Sequence, residues 1–155
     1  MAIFMKIDGV DGEHAIEGEA GWIKLESMSW GLSRGGSAVS TGLRSRAEPS
    51  ISDVKCTKLS DGSSIGLLSE ALTGSFSKQI DIQFMRQGTG RLLPYLVYAL
   101  QDAGISSFQQ TASADGIPME TFGLSFTSIQ VTHTVFSDDF TGIPSTVLYS
   151  IPDAQ

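Results

Sequence analysis

The stretch Lys78-Gln79-Ile80-Asp81-Ile82-Gln83-Phe84-Met85-Arg86 decides the fold class. Apolar and polar side chains alternate in it, so an extended chain places Gln79, Asp81 and Gln83 together on one side. This pattern is typical of an antiparallel strand with one face on a core and the other in contact with water. The polar side must therefore meet solvent or a partner.

The same alternation of apolar and polar residues recurs in the sequence before and after this stretch. The predicted strands are 3–8, 22–30, 51–59, 78–86, 95–100, 105–111, 119–136 and 146–151. The segment 95–100 could also be a helix, but its β-branched and aromatic residues favour a strand. In 119–136 the apolar residues stand at even-numbered positions up to Phe126 and at odd-numbered positions from Ile129. A bulge near Thr127-Ser128 is therefore expected, because one extra residue would keep both sets on the side of the strand that faces the core. Trp22 and Trp30 end one face of 22–30, where a core or interface role is favoured over a ligand-stacking platform.

One segment changes to helical spacing. Asp61-Gly62-Ser63-Ser64 offers N-cap residues, and Gly74 offers an end. Between them Ile65, Leu68 and Leu72 recur at helical intervals. The elements together predict a mainly β fold, either a compact antiparallel β-barrel or a two-sheet sandwich, with one flanking α-helix. We expect a single domain over residues 1–155.

Charge and length disfavour several classes of function. The chain has 155 residues and a formal net charge of −7, which disfavours binding to nucleic acid through phosphates. No apolar run approaches the roughly 18 residues that cross a bilayer, so we expect no membrane insertion. Lys6 and Asp8 interrupt the N-terminus, so we expect no signal peptide. Cys56 is the only cysteine, which excludes an intrachain disulfide. We expect no metal or other cofactor.

A long, extended polar loop over residues 31–50 carries three of the five arginines, Arg34, Arg44 and Arg46. Loops of this length without secondary structure usually bind something or stay disordered. No lysine or arginine follows Arg91, although six acidic residues do. The chain is therefore basic in this loop and acid-rich in its later part.

The loop begins with the pattern G-x-S-x-G at Gly31-Leu32-Ser33-Arg34-Gly35, in which hydrolases place a nucleophilic serine. That role requires a helix directly after the serine, and the following residues oppose one. His133 is better explained as a structural histidine, and His14 as part of a solvated acidic hairpin tip. We therefore expect that the protein is not an enzyme, and a serine hydrolase that uses Ser33 is a distant alternative.

Two N-terminal stretches and a series of later positions carry a family resemblance. The N-terminal stretches are Ile3-Phe4-Met5-Lys6-Ile7-Asp8-Gly9-Val10-Asp11-Gly12-Glu13, and Ile23-Lys24-Leu25-Glu26-Ser27 running into Ser29-Trp30-Gly31. The later positions are Asp53-Val54, Thr57-Lys58, Asp61, Ser63-Ser64, Leu67, Tyr95, Ile105-Ser106-Ser107, Glu120, Leu124-Ser125-Phe126, Ile129 and Val131. The sequence thereby resembles the haemolysin-coregulated proteins (Hcp), the tube proteins of bacterial type VI secretion, over almost its whole length.

The resemblance implies a compact β-barrel with one helix that assembles as a homo-hexameric ring, and rings that stack into a hollow tube. It also implies a spike protein, a contractile sheath and a baseplate as partners, and effector proteins as cargo. Such a protein is cytoplasmic before firing and is then secreted to the medium or a target cell. Because the chain ends soon after its last predicted strand, we expect the plain tube form without a fused toxin.

Two groups of residues are assigned to this assembly as hypotheses. The subunit or ring interface is expected to contain Arg34, Arg44, Arg46 and Glu48, with the arginines facing acidic groups of a neighbour. The lumen and cargo face is expected to contain Gln79, Asp81 and Gln83, for which a solvated outer face is an equal alternative. Two other proteins fit the sequence: a phage-like tail-tube protein, and a ring-shaped effector carrier or chaperone that does not stack.

Overall fold

Twelve strands and one helix make up the part of the chain that the computed structural model describes, residues 2–16, 19–34, 49–88, 90, 92–137 and 142–151. The strands are β1 (Ala2–Ile7), β2 (His14–Ile16), β3 (Glu19–Leu25), β4 (Ser27–Ser29), β5 (Leu32–Arg34), β6 (Pro49–Ile51), β7 (Val54–Leu59), β8 (Lys78–Gln87), β9 (Leu92–Thr111), β10 (Met119–Ser125), β11 (Ser128–Phe136) and β12 (Gly142–Ser150). The helix, α1, spans Ser64–Thr73. The predicted mainly β, antiparallel fold with one helix is confirmed.

The first strand lies between two partners in the sheet. Met5 of β1 is opposite Ile23 of β3 on one side and Ile82 of β8 on the other, and all three side chains are fully buried. The period of two is therefore confirmed here, because alternate side chains enter the core. The stretch 22–30, predicted as one strand, is divided at Glu26, after which β4 pairs with β7.

β9 is one continuous strand of 20 residues, whereas the sequence predicts two strands that separate near Gly104. Its first part pairs with β8 and β11, and its second part pairs with β10. Between the parts Asp102 adopts a φ of +46°, a conformation that Asp tolerates better than most residues. Gly104 does not end the strand. It allows close approach, since an added Cβ would lie 2.7 Å from the Phe76 ring and 2.9 Å from the carbonyl oxygen of Ser75.

The predicted change of parity after Phe126 is a break between β10 and β11, not a bulge inside one strand. Thr127 lies in the break, and its backbone N–H donates to the carbonyl of Gln101 at 3.0 Å. The core face is restored as expected, because Phe126 and Ile129 are both buried.

Ten strands form one sheet, and β5 and β6 form a separate hairpin. The main path runs β2-β3-β1-β8-β9-β10-β7-β4, and β11 and β12 extend from β9 beside it. Within the described residues the path ends at β2 and β4, so the sheet is open and folds over on itself instead of closing into a barrel. The core lies between the two halves, where Ile82, Phe122 and Leu124 are fully buried.

The helix begins and ends where the sequence predicts. The Asp61 carboxylate accepts hydrogen bonds from the backbone N–H and the hydroxyl of Ser63 at 2.9 and 2.6 Å. At the other end the N–H of Gly74 donates to the carbonyl of Glu70 at 2.9 Å. Leu67 is fully buried, whereas the apolar stripe that predicts the helix faces outward. The stripe consists of Ile65, Leu68 and Leu72, which are 76%, 38% and 74% exposed.

Candidate assembly surfaces

Gln79, Asp81 and Gln83 lie on the outward side of β8, opposite the buried Ile80 and Ile82, as the sequence predicts. Strand pairing extends this side over the neighbouring strands, because directly opposed residues of antiparallel strands share a face. One row of partners is Lys24, Phe4, Gln83, Val97, Thr132 and Thr146. The next row is Lys6, Asp81, Ala99, Gln130 and Leu148. The polar residues of this face, here called the polar wall, are Lys6, Lys24, Gln79, Asp81, Gln83, Gln130, Thr132 and Thr146.

The polar wall is tied together in part by its own hydrogen bonds. Gln79 Nε2 donates to Asp81 Oδ1 at 3.1 Å, and the hydroxyls of Thr132 and Thr146 lie 3.1 Å apart. Amide and hydroxyl groups outnumber its charged groups, which are two lysines and one aspartate. A surface of this kind offers hydrogen bonds to a polypeptide without a strong field of one sign.

One corner of the same face is apolar and is covered by β2. Phe4, Ile16, Trp22 and Met85 form a second buried cluster there. The ammonium group of Lys6 lies 5.7 Å from the centroid of the Trp22 ring. This cluster fixes the short β2 strand onto the sheet and limits the polar wall on that side.

The two tryptophans do not share a face, contrary to the prediction, because the break at Glu26 separates their strands. Trp22 is buried in the second cluster, where its Nε1 has no hydrogen-bond partner among the described residues. Trp30 packs against the main core and donates from Nε1 to the hydroxyl of Tyr98 at 3.1 Å. Both rings therefore have packing roles, which favours the core interpretation over a ligand platform.

The basic loop is described only at its two ends, which form the β5–β6 hairpin. Arg34 is opposite Pro49 and is exposed. Gly31 and Ser52 close the hairpin, since the Gly31 N–H donates to Ser52 Oγ at 3.0 Å and the Ser52 N–H donates to the Gly31 carbonyl at 2.9 Å. The remaining members of the predicted interface lie outside the described residues: Arg44, Arg46 and Glu48.

The residues considered for catalysis lie in separate strands. Ser33 is in β5 opposite Ser50, not on the strand-to-helix turn that a nucleophile of this pattern requires. His133 is exposed near the end of β11, with its ring edge-to-face against Tyr95. His14 belongs to β2 and not to a hairpin tip, so that prediction is wrong. Within the described ranges no group of three or more His, Cys, Asp and Glu side chains could hold a metal ion.

A buried ion-pair cluster, which was not predicted from the sequence, holds the start of α1. Lys58 and Glu120 are both 0% exposed, and the Lys58 ammonium donates to Glu120 Oε1 at 3.0 Å. It also donates to Asp61 Oδ1 at 2.9 Å and to Ser64 Oγ at 3.2 Å. Ser64 Oγ donates to Glu120 Oε1 at 2.9 Å, and Gln110 Nε2 donates to Oε2 at 3.1 Å. The cluster thereby joins β7, β9 and β10 to the first residue of the helix.

The charges of this cluster satisfy one another, with Lys58 and Glu120 fully buried and the Asp61 side chain 19% exposed. Burial by itself would raise the pKa of the Asp61 carboxyl, but hydrogen bonds from Ser63 and Lys58 outweigh it and hold that pKa below its usual value. The sequence contains a signal for the cluster, because Lys58 continues the inward parity of Cys56, and Glu120 that of Phe122. Charged residues at inward positions of strands are almost never unpaired.

No helix in the described ranges combines the length and the apolar character that a membrane crossing needs.

The same arrangement of strands and helix occurs in solved structures of type VI secretion proteins. A structure titled as a type six secretion system protein has a TM-score of 0.82 and 20% identity, and the match covers 97% of this chain and 95% of that one. A type VI secretion system effector from Yersinia pestis has a TM-score of 0.74 and 21% identity over 96% and 99% of the two chains. Hcp1 from Salmonella typhimurium has a TM-score of 0.73 and 25% identity over 97% and 94%. The chain therefore has the fold of this class of secretion proteins.

Sequence comparison carries the assignment from fold to family. No curated protein sequence matches the chain. A profile of the family described as type VI secretion system effector, Hcp, matches residues 4–133, which is most of the 155-residue chain. The chain belongs to the Hcp family. It is a type VI secretion tube or effector protein, and the resemblance noted in the sequence is confirmed.

Proposed function

We propose that the chain, as a single domain over residues 1–155, forms hexameric rings that stack into a hollow tube whose channel is lined by the polar wall. Membership of the Hcp family supports the ring and the tube. The observation that carries the lumen assignment is the extent of the sheet face that carries the polar wall. This face runs over β3, β1, β8, β9, β11 and β12, with wall residues on each of these strands except β9. The opposite side of β3, β1, β8, β9 and β11 contributes to the core. A continuous sheet face of this size is suited to form the wall of a channel.

The character of the wall suits transport of varied proteins. Gln83 and Thr132 offer hydrogen bonds. Asp81 lies opposite Lys6 on the neighbouring strand, which leaves Lys24 as the one charge of the wall without an opposite charge beside it in the wall. A cargo protein of either charge can pass such a surface without strong attraction or repulsion. The proposed cargo is effector proteins, and the role of the chain is structural and not catalytic. Ser33→Ala is therefore expected to change no esterase activity.

The loop arginines are proposed to orient the stack. Arg34, Arg44 and Arg46, with Glu48 beside them, would face acidic groups of a neighbouring subunit, which would give the contact a polarity. Glu120 cannot serve as such a group, because it is fully buried against Lys58. Exposed acids of the later half that the structure describes are Asp102 and Asp115.

The proposed route follows from the family. The protein would assemble in the cytoplasm on a baseplate, inside a contractile sheath and behind a spike protein. Contraction would then move the tube, with its effectors, into the medium or a target cell.

Electron microscopy of the purified protein tests the assembly. Hollow rings with six-fold symmetry are expected, and stacks of them at higher protein concentration. Rings that never stack would favour a carrier or chaperone, and a protein that stays monomeric at all concentrations would contradict the proposal.

Exchange of Arg44 and Arg46 for Glu tests the role of the loop. The variant is expected to keep a folded monomer but to lose assembly, and particles of unchanged size by light scattering would reject that role.

Cysteine labelling tests the lumen assignment. Gln83→Cys places a thiol on the polar wall, and Asp115→Cys places a matched thiol on the exposed β9–β10 turn in the other half of the fold. In assembled tubes a bulky polymer-linked maleimide is expected to react with the second variant but not with the first, whereas a small maleimide reaches both. Equal reaction of the bulky reagent with both variants would show a solvated outer face.

A further inference from the structure

A polar cavity of about 460 Å³ opens at one end of the sheet face that carries the polar wall. Ser128 of β11 lies opposite Gln101 of β9 and Ser150 of β12, two residues before Gln130 of the wall. Because side chains two positions apart on a strand share a face, the cavity continues the polar wall by one more row. The polar residues that line it are Gln101, Asp102, Thr127, Ser128, Gln130 and Ser150.

Ser128 gives the first indication that this cavity holds a ligand. The residue is only 9% exposed, and its hydroxyl has no hydrogen-bond partner among the described residues. The next residue, Ile129, is buried in the core, so the Ser128 side chain lies on the opposite side of the strand, where the cavity is. Most buried polar side chains in proteins have a partner, so this hydroxyl is suited to bind a group that enters the cavity.

Asp102 supplies the charge of the cavity. It is the one charged residue among the described residues that line it. Thr127 Oγ1 donates to Asp102 Oδ2 at 3.1 Å, which orients the carboxylate and leaves it able to accept further hydrogen bonds. The φ of Asp102 is +46°, an uncommon value for a residue other than glycine. Such backbone conformations are concentrated at functional sites, which agrees with a role for this carboxylate in binding.

We propose that this cavity, here called the ammonium site, binds the ammonium group of a lysine side chain in a cargo polypeptide. An ammonium group has a positive charge and three hydrogen-bond donors. The matching acceptors are the Asp102 carboxylate, the Ser128 hydroxyl and the glutamine amide oxygens. A guanidinium group fits less well, because it binds best to both oxygens of a carboxylate, and Oδ2 is shared with Thr127.

The site gives the channel a weak and reversible hold on cargo. For one capped lysine residue a dissociation constant on the order of 1 mM is expected. A ring of identical subunits repeats the site around the channel, so cargo with several lysines would be retained longer than cargo with one. The assignment of the ligand to cargo rests on the proposed function, which places this face in the channel. The binding of an ammonium group by the subunit does not depend on the ring.

Saturation-transfer NMR on the native full-length protein tests the site, because it detects millimolar binding to large particles. The probe is Nα-acetyl-lysine methylamide. Its methylene protons next to the ammonium group are expected to receive saturation. The same compound acetylated on Nε is expected to show no binding at equal concentration, and the arginine counterpart is expected to bind several-fold more weakly. The small amine n-butylammonium is expected to bind more weakly than the lysine probe, because it lacks the peptide groups that can contact the polar wall.

Two substitutions identify the residues that bind the probe. Asp102→Asn is expected to weaken binding about tenfold or more, and Ser128→Ala about fivefold. Neither should lower the melting temperature, since Asn keeps an acceptor for Thr127 and the Ser128 hydroxyl has no partner to lose. Asp115→Gln is the matched control, because it removes an exposed negative charge from the β9–β10 turn and should leave binding unchanged.

Several results would overturn the inference. Equal binding of the lysine probe and its Nε-acetylated form, or unchanged binding in Asp102→Asn, would reject an ammonium site. Tighter binding of n-butylammonium than of the lysine probe would assign the cavity to a free amine instead of cargo. If Asp102 faces a loop arginine of a neighbouring subunit, Asp102→Asn disrupts assembly, which would reject the cargo role. Native rings that do not bind the probe defeat this site alone, whereas binding by a protein that forms no rings defeats the proposed function.

Discussion

Glu120→Gln is expected to destabilise the fold more than the removal of any exposed charge, because it deprives the buried Lys58 ammonium of its fully buried carboxylate partner. Both residues are 0% exposed, and their charged atoms are 3.0 Å apart. The substitution preserves the shape of the side chain, so the loss reports charge and not packing. It also weakens the link between β10 and the start of α1, which Ser64 makes to the same carboxylate.

The magnitude follows from the arrangement of the cluster. Removing one partner of a buried ion pair typically costs about 3–5 kcal/mol. Asp61 remains 2.9 Å from the ammonium with a side chain that is 19% exposed, so it offsets part of the loss. We therefore expect about 3 kcal/mol, at the lower end of that range. For a chain of this length this corresponds to a fall in melting temperature of roughly 6–12 °C.

Urea unfolding at pH 7 and one fixed protein concentration, followed by tryptophan fluorescence, measures the effect. Glu19→Gln is the control, because the Glu19 carboxylate pairs with Lys6 in a solvent-exposed position, where the cost is expected to be below about 1 kcal/mol. Replacing Lys58 and Glu120 together by Met and Leu is expected to recover much of the stability. Equal losses for Glu120→Gln and Glu19→Gln would refute the reasoning.

Three further outcomes are expected. The lowered pKa of the Asp61 carboxyl means that its contribution to stability is complete above the unfolded value of about 3.9 and is lost as the pH falls toward the folded value. Asp61→Asn should therefore flatten the decline of melting temperature below about pH 4, and parallel curves for variant and native protein would contradict this. Burial raises the pKa of the Cys56 thiol to about 12, so a thiol reagent at pH 8 should react only when urea unfolds the chain; rapid labelling of the native protein would be the opposite result. Gly12→Ala should cost about 3 kcal/mol or more, because its Cβ would overlap the backbone of β3, whereas Gly116→Ala, with open space around it, should change the unfolding free energy little; similar denaturation midpoints for the two would argue against the close approach.

The strands of this fold were predictable where one side of the strand faces water and the other side faces the core. From Ile80 to Phe84 in β8 every second residue is apolar, and the polar residues between them, Asp81 and Gln83, face outward as expected. The divisions between strands were less predictable. A glycine in the local sequence predicts a break at Gly104. The strand β9 nevertheless continues through it, because neighbouring strands pair with β9 on both sides.

The helix was also predictable only in part. Its start at Asp61 and its end at Gly74 were predictable from capping preferences. Its packed side was not, because the stripe that predicts a helix, such as Leu72, is the exposed side, while Leu67 alone is fully buried among the helix leucines. An apolar stripe identifies a helix but does not say whether its own core or another molecule covers the stripe.

The sequence by itself determined the class of fold, the outward direction of Gln79, Asp81 and Gln83, and the family resemblance, because a period of two and short motifs are local properties of the chain. Only the tertiary structure decided which distant groups become neighbours. Lys58 and Glu120 are 62 positions apart, and they meet because β7 and β10 are adjacent in the sheet. The polar wall likewise exists only through the register of strands that are far apart in sequence. Such pairings are set by how the whole sheet folds over its core, which no short segment encodes.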